Sequence, residues 1–285
     1  MKPQLTSTAA VLLIAIIPAF AADSTKQAKF TVAPGAVVNV NDNSGSVTLH
    51  QGNGRQVLVS ATTHSSKVES DLSSTTDGRR VDIRTHALPQ QTPSSDEAKT
   101  EYDITVPAGV SVTVVTSTAP ITVDSLSGDL SLSSDTGTIT VRNVSNSHLH
   151  VRDVTGPVAL SDVSGAAVDI TSAGGPVQLS NVTGPNVTVG TTSGNIAYRG
   201  DFGGGGSYAL TTHNGEIDVT LPEDASVDLT ARSVNGSVEN DFPLQNKSHM
   251  TFVPTQGRSF AGTSNSGSSS VDLESFSGKI RVRKQ

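Results

Sequence analysis

One element recurs along this chain at a spacing of about 19 residues: a small residue or glycine followed by apolar-x-apolar. One series runs through Ile121/Val123, Ile139/Val141, Val158/Leu160, Val177/Leu179, Ile196/Tyr198 and Ile217/Val219. A second lies half a period away, at Leu130/Leu132, Leu149/Val151, Val168/Ile170, Val187/Val189, Tyr208/Leu210 and Val227/Leu229. Apolar residues at i and i+2 with polar residues outside them are strand alternation, not helical periodicity. Thr136-Gly137, Ser164-Gly165, Ser193-Gly194 and Asn214-Gly215 stand between the strands as turn signals. Units that cannot bury a core alone must stack, and residues one period apart then lie about 4.8 Å apart. The pattern predicts an all-β fold: a single-stranded parallel β-solenoid, β-helix-like, with two short strands per coil and right-handed crossovers favoured by strand twist. The inward columns are expected to run from Ile121 to Val238 and from Leu130 to Val227. A third, at one turn, runs Leu126, Val144, Val163, Val182 and Phe202. Ser125, Asn143, Asp162, Asn181 and Asp201 precede it and read as turn formers.

The chain divides into three stretches. Residues 1–21 combine Lys2, an apolar run from Val11 to Ile17 and Ala19-Phe20-Ala21, a secretory signal with cleavage expected after Ala21. No other segment is apolar enough over a sufficient length for a transmembrane helix, so none is expected after signal cleavage. Residues 22–100 read as a β region that starts or caps the solenoid, with a mobile Pro-containing loop at 88–100. Residues 101–285 carry the regular coils, interrupted by an insertion at about 250–270. The sequence holds no Cys, so an exported chain must be held by its core rather than by disulfides. A net charge of −7 with 16% charged residues favours solubility and argues against a nucleic-acid partner.

Ser44-Gly45-Ser46-Val47-Thr48-Leu49, the element Tyr102-Asp103-Ile104-Thr105-Val106-Pro107-Ala108-Gly109 and the serial Ser/Thr-Gly-x-Ile/Val-x-Val units follow one another in a recognisable order. In that order the chain resembles the bacterial putative-adhesin family of β-strand repeat domains, a domain of unknown function, over nearly all of its length after residue 21. The resemblance implies an exported protein of the periplasm, cell envelope or cell exterior built on a β-solenoid. It transfers no catalytic residues.

Candidate chemistry is sparse. His148 and His150 flank inward Leu149, with Asp129 and Asp169 one period away; two imidazoles and two carboxylates on one face form a candidate divalent-metal set. The preferred reading is solvated ladder residues, because metal sites need converging ligands and supporting second shells, and no cofactor is expected. Calcium β-rolls share the coil geometry, but the turns here lack their repeated Gly-Gly-x-Gly-x-Asp. Lys279, Arg281, Arg283 and Lys284 form a basic C-terminal stretch, expected either to guard an end strand against pairing or to dock an anionic envelope partner. The favoured function is a non-enzymatic, adhesin-like binding or scaffolding protein whose partner is an envelope or surface component, protein or polysaccharide. The alternative is a carbohydrate-active solenoid enzyme, a polysaccharide lyase or hydrolase. Against it stand the absence of Trp and of an evident convergent acid-base pair.

Overall fold

The computed structural model describes residues 23–246 and 255–285. The expected signal at 1–21 lies outside the described residues, as does the part of the expected insertion that falls before residue 255. Within the described residues the chain forms strands and no helix, arranged in a 12-stranded and a 13-stranded sheet. Through the middle of the molecule each pass lays one strand in the first sheet and one in the second, and like strands pair in parallel. In the first sheet Ile121 pairs with Ile139, then Val158, Val177, Ile196 and Ile217. In the second, Leu130 pairs with Leu149, then Val168, Val187 and Tyr208. Each of these residues is buried, so the alternation of the sequence becomes two facing apolar layers. The third column, Leu126 to Phe202, closes one side of that core and is also buried.

Ser125, Asn143, Asp162 and Asn181 have φ between 53° and 60°, a left-handed conformation that, glycine aside, Asn and Asp tolerate best. Amides and carboxylates tie adjacent turns: Asn143 Nδ2 donates to Asp124 Oδ1 at 2.9 Å, and Asn181 Nδ2 to Asp162 Oδ1 at 3.0 Å. At the end of this column the chain swings out through Gly203–Gly206, and three aromatic rings fill the space behind it. Phe202 stacks on Tyr198 with centroids 4.2 Å apart, and Tyr208 tilts against Phe202 at 4.6 Å. The buried Tyr198 hydroxyl shares its proton between the carbonyls of Val182 and Asp201, at 2.8 and 2.9 Å. The Tyr208 hydroxyl donates to the Phe202 carbonyl and accepts the Gly184 N–H, so these rings bring no unpaired polar atom into the core.

At the N-terminal end the repeat is capped by antiparallel pairing. Gly45–Gly52 already lies in register with the coils, Val47 opposite Ile121, and beyond it Thr100–Pro107, Gln56–Thr63 and Ser24–Thr31 complete the first sheet.

The C-terminal end departs from the expected order. Ile280–Lys284 does not lie at the end of the stack but between Ile217–Leu221 and Val238–Asn240, parallel to both. Ser269–Ser275 is likewise inserted between Gly206–Thr212 and Val227–Ser233. Ile217 is therefore followed in its column by Ile280, and Val238, only partly buried, comes after it. The expectation that Lys279, Arg281, Arg283 and Lys284 guard an end strand is corrected by this topology, because their strand has a hydrogen-bonded neighbour on each side.

The opposite corner of the coils is set by glycine. A Cβ on Gly156, Gly175, Gly194 or Gly215 would lie only 1.8–2.3 Å from the carbonyl oxygen of the glycine one coil before it. Gly190, within the strand Asn186–Thr191, has nothing within 4 Å of the same position. Gly194→Ala is expected to cost at least about 2 kcal/mol. Gly190→Ala should be neutral or stabilising by up to about 1 kcal/mol. Urea unfolding of both variants checks this; equal midpoints would contradict a corner built on carbonyl contact.

Candidate functional site

The outward faces of the two sheets carry the candidates read from the sequence. His148 and His150 project from His148–Asp153 on either side of buried Leu149. His148 Nδ1 lies 2.9 Å from Asp129 Oδ1 in the preceding coil, whereas His150 Nδ1 lies 3.0 Å from Asp169 Oδ2 in the following one. The four residues are brought together as two separate pairs facing opposite neighbours. The His148 contact holds the Asp129 carboxyl below its ordinary range. All four side chains are more than half exposed, so both pairs are weak, salt-screened contacts. Among the described residues no three His, Cys, Asp or Glu side chains converge as metal ligands would.

The basic C-terminal residues are spent within the molecule. Arg281 Nη1 reaches Glu216 at 2.8 Å and Asp218 at 3.2 Å, and Arg283 Nη2 reaches Asp218 at 2.9 Å. Lys279 pairs with Glu239 and Lys284 with Glu223. These contacts fasten the inserted strand to residues on both sides of it.

Sequence reasoning missed the polar column inside the glycine corner. Asp42, Thr116, Ser134, Asp153, Ser172, Thr191, Thr212, Ser275 and Ser233 occupy successive register positions in the second sheet, and all are buried. The signal was present as Ser/Thr/Asp-x-x-Gly, for example Ser134 to Gly137 and Thr212 to Gly215. A hydroxyl suits this place because it can donate and accept at once. The Ser275 hydroxyl accepts the Gly278 N–H at 2.7 Å and donates to the Gly215 carbonyl at 3.3 Å. Ser233 does the same with the Gly236 N–H and the Gly278 carbonyl.

Two positions hold a carboxyl instead. Asp153 faces the Gly156 amide, and Asp42 has the Thr85 hydroxyl and the Asn43 and Ser44 amides nearby, yet none of their four carboxyl oxygens makes a well-formed hydrogen bond. Burial pushes Asp42 up to about 7 and Asp153 up to about 6. Only the protonated carboxyl can donate and accept as the serines do.

On the outside of the same corner His213 and Phe276 stack at 4.6 Å with planes 4° apart. They border a groove of about 320 Å³ that also touches Arg232 and Glu274.

Such a chain is an all-β repeat protein of two largely parallel sheets, with no helix among its described residues long and apolar enough to cross a membrane. The family model described as Toastrack DUF4097 matches residues 37–283, and the chain belongs to that family. No curated protein matches the sequence. Similar solved structures include a putative adhesin from Bacteroides fragilis, 10% identical over 92% of this chain and 97% of that one, with a TM-score of 0.46. A putative adhesin from Parabacteroides merdae is 12% identical over 93% and 96%, with a TM-score of 0.40. A putative cell adhesion protein from Clostridium sporogenes is 13% identical over 92% and 100%, with a TM-score of 0.32.

The buried carboxyls set a pH dependence. Their folded pKa values lie above the unfolded value of about 3.9, so the folded state holds the extra protons. The stability they contribute is full below about pH 4 and is lost as pH rises through about 6 for Asp153 and about 7 for Asp42. Asp153→Ser restores the hydroxyl of the column, so it should match the native protein at pH 4 and exceed it at pH 8 by on the order of 2 kcal/mol. Melting curves across this range check it; a constant difference between the two proteins would exclude Asp153 as the titrating group.

Proposed function

We propose that this chain is an exported envelope or surface protein that acts as a non-enzymatic, adhesin-like binding or scaffolding module on a single-stranded parallel β-solenoid of about 19 residues per coil. The observation that carries the reading is the division of its ionisable groups. The carboxyls raised toward neutrality, Asp42 and Asp153, are sealed inside the corner, three ladder steps or about 14 Å apart. A general acid or base must reach a substrate, and neither does. The candidate histidines stand outside in weak pairs with aspartates. What remains is a pair of long, regular outer faces, the surface by which solenoids hold extended partners. The expected leader at 1–21 and the lack of Cys fit export.

Immobilised protein incubated with envelope extract is expected to retain a specific component and leave its chain length unchanged. Steady shortening of an envelope polysaccharide, abolished by replacing one exposed carboxylate, would replace this reading with the lyase or hydrolase alternative.

A further inference from the structure

The outer face of the first sheet is not uniform. From Ile139–Arg142 to Ile280–Lys284 it sinks into a shallow trough of about 490 Å³. One outward row runs through it in continuous register: Arg142, Ser161, Ser180, Arg199, Thr220 and Arg283. The serines leave the floor low, so the arginines rise above it about 14 Å and then about 10 Å apart, three and two ladder steps. Arg142 and Arg199 are exposed, and neither forms an ion pair within 4 Å among the described residues. Asp124, the register neighbour of Arg142 at the end of the row, accepts hydrogen bonds from Asn143 and Ser125 instead. The one carboxylate in the trough, Asp218, is already held by Arg281 and Arg283. A chain of net charge −7 therefore presents a cationic strip on one face.

We propose that this trough docks an acidic polysaccharide, with the guanidinium groups of Arg142 and Arg199 taking its carboxylates while Arg283 stays paired with Asp218. The proposal rests on the reading of the chain as a binding module and names the ligand class and face. Guanidinium forks bind carboxylates bidentately. Between them the hydroxyls of Ser161 and Ser180 and the Gln178 amide are placed to meet sugar hydroxyls. An acidic peptide fits less well. The strands from Ile139–Arg142 to Ile217–Leu221 are flanked on both sides, and Ile280–Lys284 is flanked by Val238–Asn240 over residues 280–282, so no long backbone edge is open for an added strand. The floor, with Ala159 and Ala197, also has no deep apolar pocket to seat side chains.

The test measures binding of purified protein to polygalacturonate, neutral dextran and poly-glutamate by calorimetry at low and physiological salt. Polygalacturonate should bind with an affinity that falls as salt rises, and dextran should not bind. Arg142→Gln with Arg199→Gln should weaken polygalacturonate about tenfold with an unchanged melting temperature. Arg152→Gln, on the outer face of the other sheet, should change it less than about twofold. Equal binding by the double variant, or no binding of polygalacturonate by the native protein, overturns the proposal. Poly-glutamate bound as tightly as polygalacturonate overturns the polysaccharide assignment. If polygalacturonate fails while envelope extract is still retained, the binding-module reading survives; if both fail, both fall.

Discussion

The fold depends on how closely one coil can approach the next at the glycine corner. Parallel strands fix the coil-to-coil distance at about 4.8 Å, and at the corner the backbone must turn sharply without leaving that spacing. The carbonyl of one corner glycine occupies the place where the next would carry a Cβ. The sharp turn leaves amide and carbonyl groups facing inward, where an unpaired polar group is costly. A buried serine or threonine three residues earlier satisfies them, as Ser275 and Ser233 do. Glycine permits the approach, and at most steps a hydroxyl makes it stable.

Much of this was legible in the sequence. The inward columns were, because apolar alternation and a fixed period together leave few alternatives. Columns such as Val158, Val177 and Ile196 fall into the pairing their spacing predicts. Turn glycines were recognised as turn glycines, but the burial of their hydroxyl partners was not. Serine and threonine are common on strand exteriors, and only the shared offset to glycine marks these ones as internal. The order of the last coils was illegible for a different reason. Ile217, Val238 and Ile280 are chemically interchangeable at the same column, so local pattern assigns each a place in the core without ranking them along the axis. The ion pairs of Arg281 with Glu216 and Asp218 favour the observed order, but they join residues more than sixty positions apart, beyond what a repeat pattern specifies.

The outer surfaces were the least readable. Outward side chains carry little structural constraint, so His148 and Asp129 could be placed beside one another from the period alone. Whether two such pairs would converge depended on which neighbour each imidazole turned toward. The arginines of the trough were separated in the chain by whole coils, and their common row is visible only when the register of six strands is followed together.

The intercalated last coil has a consequence for how the molecule assembles. A stack that grows in chain order can add each coil to a finished template as the polypeptide emerges, which keeps loop-closure costs small. Here Val227–Ser233 and Val238–Asn240 are made before the strands that separate them from the rest of the stack. Those segments must either wait or dock one step too early and then withdraw. Closure therefore belongs to residues 269–284, which wedge between two neighbours and contribute ladder bonds on both flanks in both sheets. In a repeat protein this converts an end that would otherwise fray into a latch, and it makes the final stage of folding a single cooperative event rather than the addition of one more unit.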